Sequence, residues 1–398
     1  MLSCGIHLNS IIYLAIIQYY NLNFQYICAT MKKTPKEKNM RIAIGGDVSV
    51  KAECEELFAK GNGKALFGNV CDAFASCDES IVNLETAITD KDTPIKKIGP
   101  NLRAPLNTAM ALRDAGITAL VLSNNHIFDY GKAGMKDTLA EIEKCGLRYT
   151  GFGENVLDAR KNMILCDGKI SVAVIAVCEH EYTYALKNRM GAREYDPYDT
   201  MEDIENAKKS ADYVVVIYHG GAEGCRYPSP RLVKACRTMV KHGADVVLCQ
   251  HSHCIGCYEK YQSSHILYGQ GNFHFIHKKY EDKTDKGYAW NTGILVKLDI
   301  DSSLEIEFIP CVVDGNAIRL ASDEEKDKIL SEMYERLASL ENGTWEEKWL
   351  EFALSRDRFK GIPEELCEEI AHYLDCESHT DVCREIYKTY NSTNEMDD

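Results

Sequence analysis

The sequence predicts an α/β protein carrying a helical appendage at its C-terminal end. Three observations carry that expectation. From Arg41 to about residue 312, short β-branched and aliphatic runs alternate with helix-like segments. From about Ser322 the strand signal stops and charged, helix-favouring sequence takes over. Polar residues also gather just after the expected strands, where open α/β sheets place their ligands. At 398 residues the chain can bury a large core without covalent staples.

The first segment stands apart. Ile11–Ile17 is an apolar run with no Lys or Arg before it, followed by Lys32, Lys33, Lys36, Lys38 and Arg41 and interrupted from Gln18 onward. That charge order is wrong for a secretory signal, and the run falls short of the roughly 20 apolar residues of a spanning helix. Residues 1–39 are read as a non-native extension ahead of a start at Met31 or Met40, with a weak membrane anchor through residues 11–28 as the alternative. The domain is then expected in the cytoplasm.

Strands are expected at Arg41–Ile44, Ile81–Leu84, Ala119–Leu122, Arg148–Thr150, Ser171–Val177, Tyr213–Tyr218, Asp245–Cys249, His265–Tyr268, Gly293–Leu298 and Leu304–Ile309, the last two as an antiparallel edge. Between them, Thr108–Ala115, Gly134–Cys145, Met201–Ser210 and Pro230–Lys241 have the spacing of amphipathic helices. This domain is expected over residues 40–320, followed by a helical segment over 321–398 that Asn342-Gly343 and Gly361-Ile-Pro363 divide into about three helices. Asn391–Asp398 is expected to be disordered.

Composition excludes some functions. With 46 basic and 61 acidic side chains the net charge is −15, so nucleic acid is not an expected partner. The 17 cysteines are odd in number and scattered through apolar runs, which suits reduced core thiols. Cys254-Ile-Gly-Cys257 is read the same way, because no second such pair accompanies it.

Five expected strand ends present carboxylate, amide or imidazole groups: Asp47; Asn83 and Glu85; Asn124, Asn125, His126 and Asp129; His219 and Glu223; and His251 with His253. Taken singly these have ordinary readings, as turn formers, a helix cap at Asp129 or a surface pair at His219 and Glu223. Their ordered conjunction points to one shared site. Mixed carboxylate and imidazole donors suit Zn²⁺, Mn²⁺ or Fe²⁺. Two such ions could hold an oxyanion and activate a water, while a nearby imidazole that is not a ligand protonates a leaving group. Arg103 and Arg226 are read as exposed loop residues and His274 and His277 as part of a solvated loop, with clamping of a phosphate or carboxylate by the arginines and lining of the cleft by the histidines as the alternatives. Tyr268 and Phe273 are read as packing residues.

Gly46-Asp47, Asn83-Leu-Glu85, Asn124-Asn-His-x-x-Asp129-Tyr-Gly131, Gly151-Phe-Gly153, His219-x-Gly221-x-Glu223, Gly243-Ala-Asp245, His251-x-His253 and Gly271-Asn-Phe273 resemble, in order, the motif series of the CapA family of bacterial capsule and poly-γ-glutamate synthesis. The resemblance spans roughly residues 40–312. It implies a fold related to calcineurin-like metallophosphoesterases, a four-layer α/β/β/α sandwich. It also implies metal positions at Asp47, Glu85, Asn125, His219, His251 and His253 for two divalent transition-metal ions, with His126 as the acid-base histidine. Asp129 and Glu223 are expected to orient imidazoles. The sequence departs from the pattern at Ser49, where the phosphoesterase series has a histidine, at Glu85, where it has an aspartate, and at Gly220, Cys249-Gln250 and Ser252, which predict a roomier pocket.

The expected function is a metal-dependent hydrolase of a phosphoester or related bond in an anionic or polymer-precursor substrate. The alternative is a non-catalytic accessory component that contacts capsule or polyglutamate synthase components through the helical tail.

Overall fold

A computed structural model describes residues 39–179, 182–277, 279, 285–356 and 360–394. The expectations for residues 1–38 and for 395–398 lie outside them. The chain divides into two compact units, Met1–Trp345 and Glu346–Asp398.

The strands of the first unit are β1 (Met40–Val48), β2 (Glu79–Leu84), β3 (Ala119–Val121), β4 (Arg148–Thr150), β5 (Met163–Cys166), β6 (Ser171–Cys178), β7 (Tyr213–His219), β8 (Val246–Gln250), β9 (Tyr258–Tyr261), β10 (Ser264–Leu267), β11 (Asn272–His274), β12 (Thr292–Ile300), β13 (Leu304–Asp314) and β14 (Ala317–Leu320). They form two large sheets. The first runs β14-β13-β12-β1-β2-β3-β4, with β11 also pairing β1, and the second runs β9-β10-β8-β7-β6-β5. β1 to β4 are parallel, and β12 to β14 extend them as the expected antiparallel edge. In the second sheet β6, β7, β8 and β10 are parallel. Two-residue ribbons join Ala87–Ile88 to Arg103–Ala104 and Phe152–Gly153 to Gly191–Ala192.

The helices are α1 (Glu55–Ala59), α2 (Gly63–Phe67), α3 (Val70–Ala75), α4 (Thr108–Asp114), α5 (Gly131–Lys144), α6 (Val156–Ala159), α7 (Pro197–Ser210), α8 (Pro230–Lys241), α9 (Asp285–Trp290) and α10 (Asp323–Asn342). Strand alternation sorts the apolar side chains into three cores, which establishes the layer order. Ile42, Ile44, Ile81, Val121, Val296 and Leu298 of the first sheet meet Val172, Val174, Val215, Ile217, Val246 and Leu248 of the second. The opposite face of the first sheet, with Ala43, Val48, Val82, Leu84 and Leu120, packs on Phe67, Phe74, Leu112 and Met135 of α2 to α5. The opposite face of the second, with Ile175, Val216, Tyr218 and Val247, packs on Ile204 of α7 and on Leu232, Cys236 and Met239 of α8. The result is an α/β/β/α sandwich.

α10 starts at a Ser322–Glu325 capping box. Its Ile329 and Met333 join the core between the sheets, so the first helix after residue 320 packs with the sandwich. The second unit contains α11 (Trp345–Ser355) from its second residue on, α12 (Glu364–Asp375) and α13 (Glu377–Asn394). Four helices therefore stand where about three were expected, because the chain also breaks at Cys376, which is extended. The helix over Asn391–Asn394 corrects the expectation of disorder there.

Among the described residues no cysteine forms a disulfide, and Cys254 and Cys257 are buried core thiols. No helix among the described residues is long and apolar enough to cross a membrane.

Candidate metal centre

Parallel strands in both sheets deliver their carboxyl ends to one place. β1 reaches it through a bulge. Ile44 pairs with Ile81 and Asp47 with Asn83, so Gly45-Gly46 adds one residue to β1. Met40, Ile42 and Ile44 point between the sheets; without the extra residue Asp47 would point to the helical layer instead. Close packing reserves these positions for glycine. A Cβ on Gly46 would lie 2.5 Å from the Gly271 carbonyl oxygen, and one on Gly45 would lie 2.8 Å from the Phe273 ring.

Asp47 and Glu85 are fully buried. One oxygen of Asp47 accepts from Asn83 Nδ2 at 2.7 Å, and the other accepts from the His251 backbone N–H at 2.9 Å. Desolvation raises the pKa of this carboxyl, but hydrogen bonding and charge from His219 outweigh it and hold the group at about 2. Glu85 is the contrary case. Neither of its carboxylate oxygens accepts a hydrogen bond. Burial, then the charges of Asp47 and Glu223, push its carboxyl well above the usual range.

Three imidazoles surround this pair. His219 Nδ1 lies 3.1 Å from Asn83 Nδ2 and 3.6 Å from Asp47, and its Nε2 lies 3.0 Å from Asn125 Oδ1 and 3.6 Å from Glu85. His251 and His253 follow β8 with φ of 79° and 53°, left-handed values that non-glycine residues rarely adopt. An extended His-x-His would split its rings across the strand; here both rings reach the same donors. His253 Nδ1 lies 2.8 Å from Asn272 Oδ1, and the ring rests on Trp290 with centroids 4.7 Å apart.

Donor atoms of Asp47, Glu85 and His219 lie within 4.8 Å of one another, as do those of Glu85, His251 and His253. Glu85 thus belongs to both groups. A divalent cation fits this donor set of buried carboxylates and imidazoles.

His126 stands beside these groups. Its Nδ1 lies 2.7 Å from Asp129 Oδ2 and its Nε2 lies 4.0 Å from Glu85 Oε1. Burial lowers its pKa. Asp129 is not a helix cap, since α5 follows Tyr130; its carboxylate accepts from the Leu102 N–H at 2.6 Å and from Lys97. Lys97 is buried and also donates to the Asn125 carbonyl at 3.1 Å. Sequence reasoning passed over Lys97, which sits in a polar loop with no periodicity. The orienting role of Asn272 was also missed, although Gly271-Asn-Phe273 had flagged the position. Glu223 is exposed near the centre, and the imidazole contacts of His219 and His253 named above come from Asn83, Asn125 and Asn272.

Two further expectations are corrected. A Cβ on Gly220 would run into the Glu179 side chain, which fills the space expected to widen the pocket. His274 neither lines the cleft nor lies in a loop: it is buried in β11 against Phe58 and Phe67. Arg103 is exposed, as the surface reading has it, and its guanidinium is committed to Asp92 and the Lys91 carbonyl. Tyr268 and Phe273 are buried packing residues, as read. Ser49, a departure from the pattern noted in the sequence, is buried, and its hydroxyl makes no hydrogen bond.

The model of the family described as "Bacterial capsule synthesis protein PGA_cap" matches residues 41–277. The chain is similar to the PGA biosynthesis protein CapA of Bacillus subtilis (strain 168), at 30% identity over 67% of this chain and 73% of that protein. It is also similar to the capsule biosynthesis protein CapA of Bacillus anthracis, at 30% identity over 62% of each chain. Among solved structures, a hypothetical protein from Thermus thermophilus aligns with a TM-score of 0.42 and 16% identity, over 68% of this chain and 99% of that one. With the family match covering the second sheet, the parallel strands of the first and the donor cluster at their ends, the chain belongs to the bacterial capsule synthesis PGA_cap family.

Proposed function

We propose that the chain is a metal-dependent hydrolase of a phosphoester or related bond, acting on an anionic polymer precursor during synthesis of a capsular or poly-γ-glutamate polymer. Asp47, Glu85, Asn125, His219, His251 and His253 hold two divalent ions, Mn²⁺, Zn²⁺ or Fe²⁺. The observation that carries the reading is Glu85, fully buried, shared by both donor groups and without a hydrogen bond to either oxygen. The names of the two Bacillus relatives support the polymer-synthesis context.

Bound here, the ions would supply Lewis acidity and a lowered pKa for a coordinated water. The remaining work falls to side chains of this chain. Asp129, at 2.7 Å, accepts the Nδ1–H of His126 and leaves Nε2 facing Glu85, where His126 can hold or transfer a proton. Lys97 fixes Asp129, and Asn83, 3.1 Å from His219 Nδ1, orients that ring with Nε2 towards Glu85. Ser49 favours a second reading, a non-catalytic accessory component that keeps the pocket for binding.

The test is metal content by plasma mass spectrometry on the full chain and on His251→Ala, followed by phosphatase, phosphodiesterase and amidase assays. About two ions per chain, falling in the variant, with turnover reduced at least about 100-fold by His126→Ala, is the expected result. Metal uptake without turnover would favour the accessory reading; no uptake of Mn²⁺ or Zn²⁺ would overturn the metal centre.

A further inference from the structure

A second polar cavity borders this centre. Arg226, Ile255, Tyr288, Ala289, Thr292, Ile329, Glu332 and Arg336 line it. Ile255 lies two residues beyond His253, and Tyr288 and Ala289 lead into Trp290, whose ring rests on His253. Arg336 projects from α10 and is 7% exposed. Its Nε donates to the Gly256 carbonyl at 3.3 Å. A guanidinium carries five N–H donors, and among the described residues no carboxylate lies within 4 Å of Arg336 or Arg226. Arg226 sits over the Tyr288 ring at 5.9 Å, and Lys328 over the same ring at 4.3 Å. Three cations thus crowd one tyrosine, with Glu332 the carboxylate in the cavity wall. Burial and the charge of Arg226 both work against the charge on Arg336.

Burying a guanidinium with most of its donors unused beside a like charge is unfavourable unless something else accepts those hydrogen bonds. In a chain of net charge −15, a local excess of positive charge also runs against the general field. We propose that Arg226 and Arg336 form an oxyanion-binding subsite next to the metal-ligand cluster, which takes a phosphate or carboxylate group. Planar guanidinium forks suit the paired oxygens of either group. The subsite is independent of the hydrolase reading. If that reading also holds, a substrate anion seated here would lie beside His253.

The test is isothermal titration of the full chain in excess chelator, with inorganic phosphate in one series and glutarate in another. The variants are Arg336→Met, Arg226→Met and His251→Ala. Saturable binding of either anion that weakens at least about tenfold in both arginine variants and persists in His251→Ala supports the subsite and identifies the preferred group. Binding that survives both arginine variants, or that disappears with His251, places the anion elsewhere and overturns the proposal. So does the absence of binding by either anion. Circular dichroism melts check that Arg336→Met folds; if it does not, Arg226→Met, which alters a loop residue, decides alone. Metal uptake on the same preparations separates failure of the subsite from failure of the metal centre.

Discussion

At the scale of the residue, buried charges define the site and its vulnerabilities. Lys97 and Asp129 pair at side-chain exposures of 2% and 0%. Removing one partner of such a pair strands the other, so Lys97→Met should lose about 3 kcal/mol in urea unfolding. Adding Asp129→Asn should restore part of that loss, and strictly additive losses would show that the pair does not interact. His274 offers a second test. Burial among aromatic rings lowers its pKa to about 4, against roughly 6.5 for an unfolded chain. Between those values the unfolded state binds the extra proton, so stability is retained above about pH 6.5 and is lost as pH falls towards 4, by on the order of 3 kcal/mol. His274→Phe should flatten this limb in unfolding series at pH 7.5, 6 and 5, whereas an unchanged slope would reject the assignment. The sequence marked every residue of the two clustered donor groups, because strand-end placement and residue chemistry both flag them. It was silent on Lys97, because a lone cation in a loop reveals its partner only in three dimensions.

At the scale of the element, alternation made the long strands legible. Val214, Val216 and Tyr218 face α7 and α8 while Val215 and Ile217 face the other sheet, a period that shows in the chain as an unbroken apolar run. α1 to α3 escaped because helices of five or six residues are too short to show a period. The bulge at Gly45-Gly46 was equally hidden: a Gly-Gly pair looks like the end of a strand, yet β1 continues to Val48. Its role can be measured. Gly46→Ala should cost about 1–3 kcal/mol through the clash with the Gly271 carbonyl and, by shifting Asp47, should lower metal uptake. Gly315→Ala, at a φ of 61° with nothing within 4 Å of the added Cβ, should cost about 1 kcal/mol and leave uptake unchanged. Equal uptake in the two variants would remove the bulge from the account of the site.

At the scale of the whole molecule, the sandwich is closed by apolar packing through three cores, while the junction of the two sheets concentrates groups that oppose folding. Asp47 and Glu85 place two carboxylates in a buried space, and His251 and His253 adopt left-handed backbone there. Groups held in this way lower the stability of the fold. Glu85→Gln therefore carries a prediction of opposite signs. Without metal it removes the charge that burial and Asp47 disfavour, so the variant should melt no lower than the parent chain and should resist urea at least as well. With Mn²⁺ or Zn²⁺ at about 100 times the dissociation constant, the parent chain should gain about 2.7 kcal/mol from linkage and the variant should gain little. Paired melts with chelator and with metal measure both signs at once. A Glu85→Gln protein weakened in chelator would mean that Glu85 supports the fold through contacts of its own, and the buried carboxylate would no longer argue for a cation between the sheets.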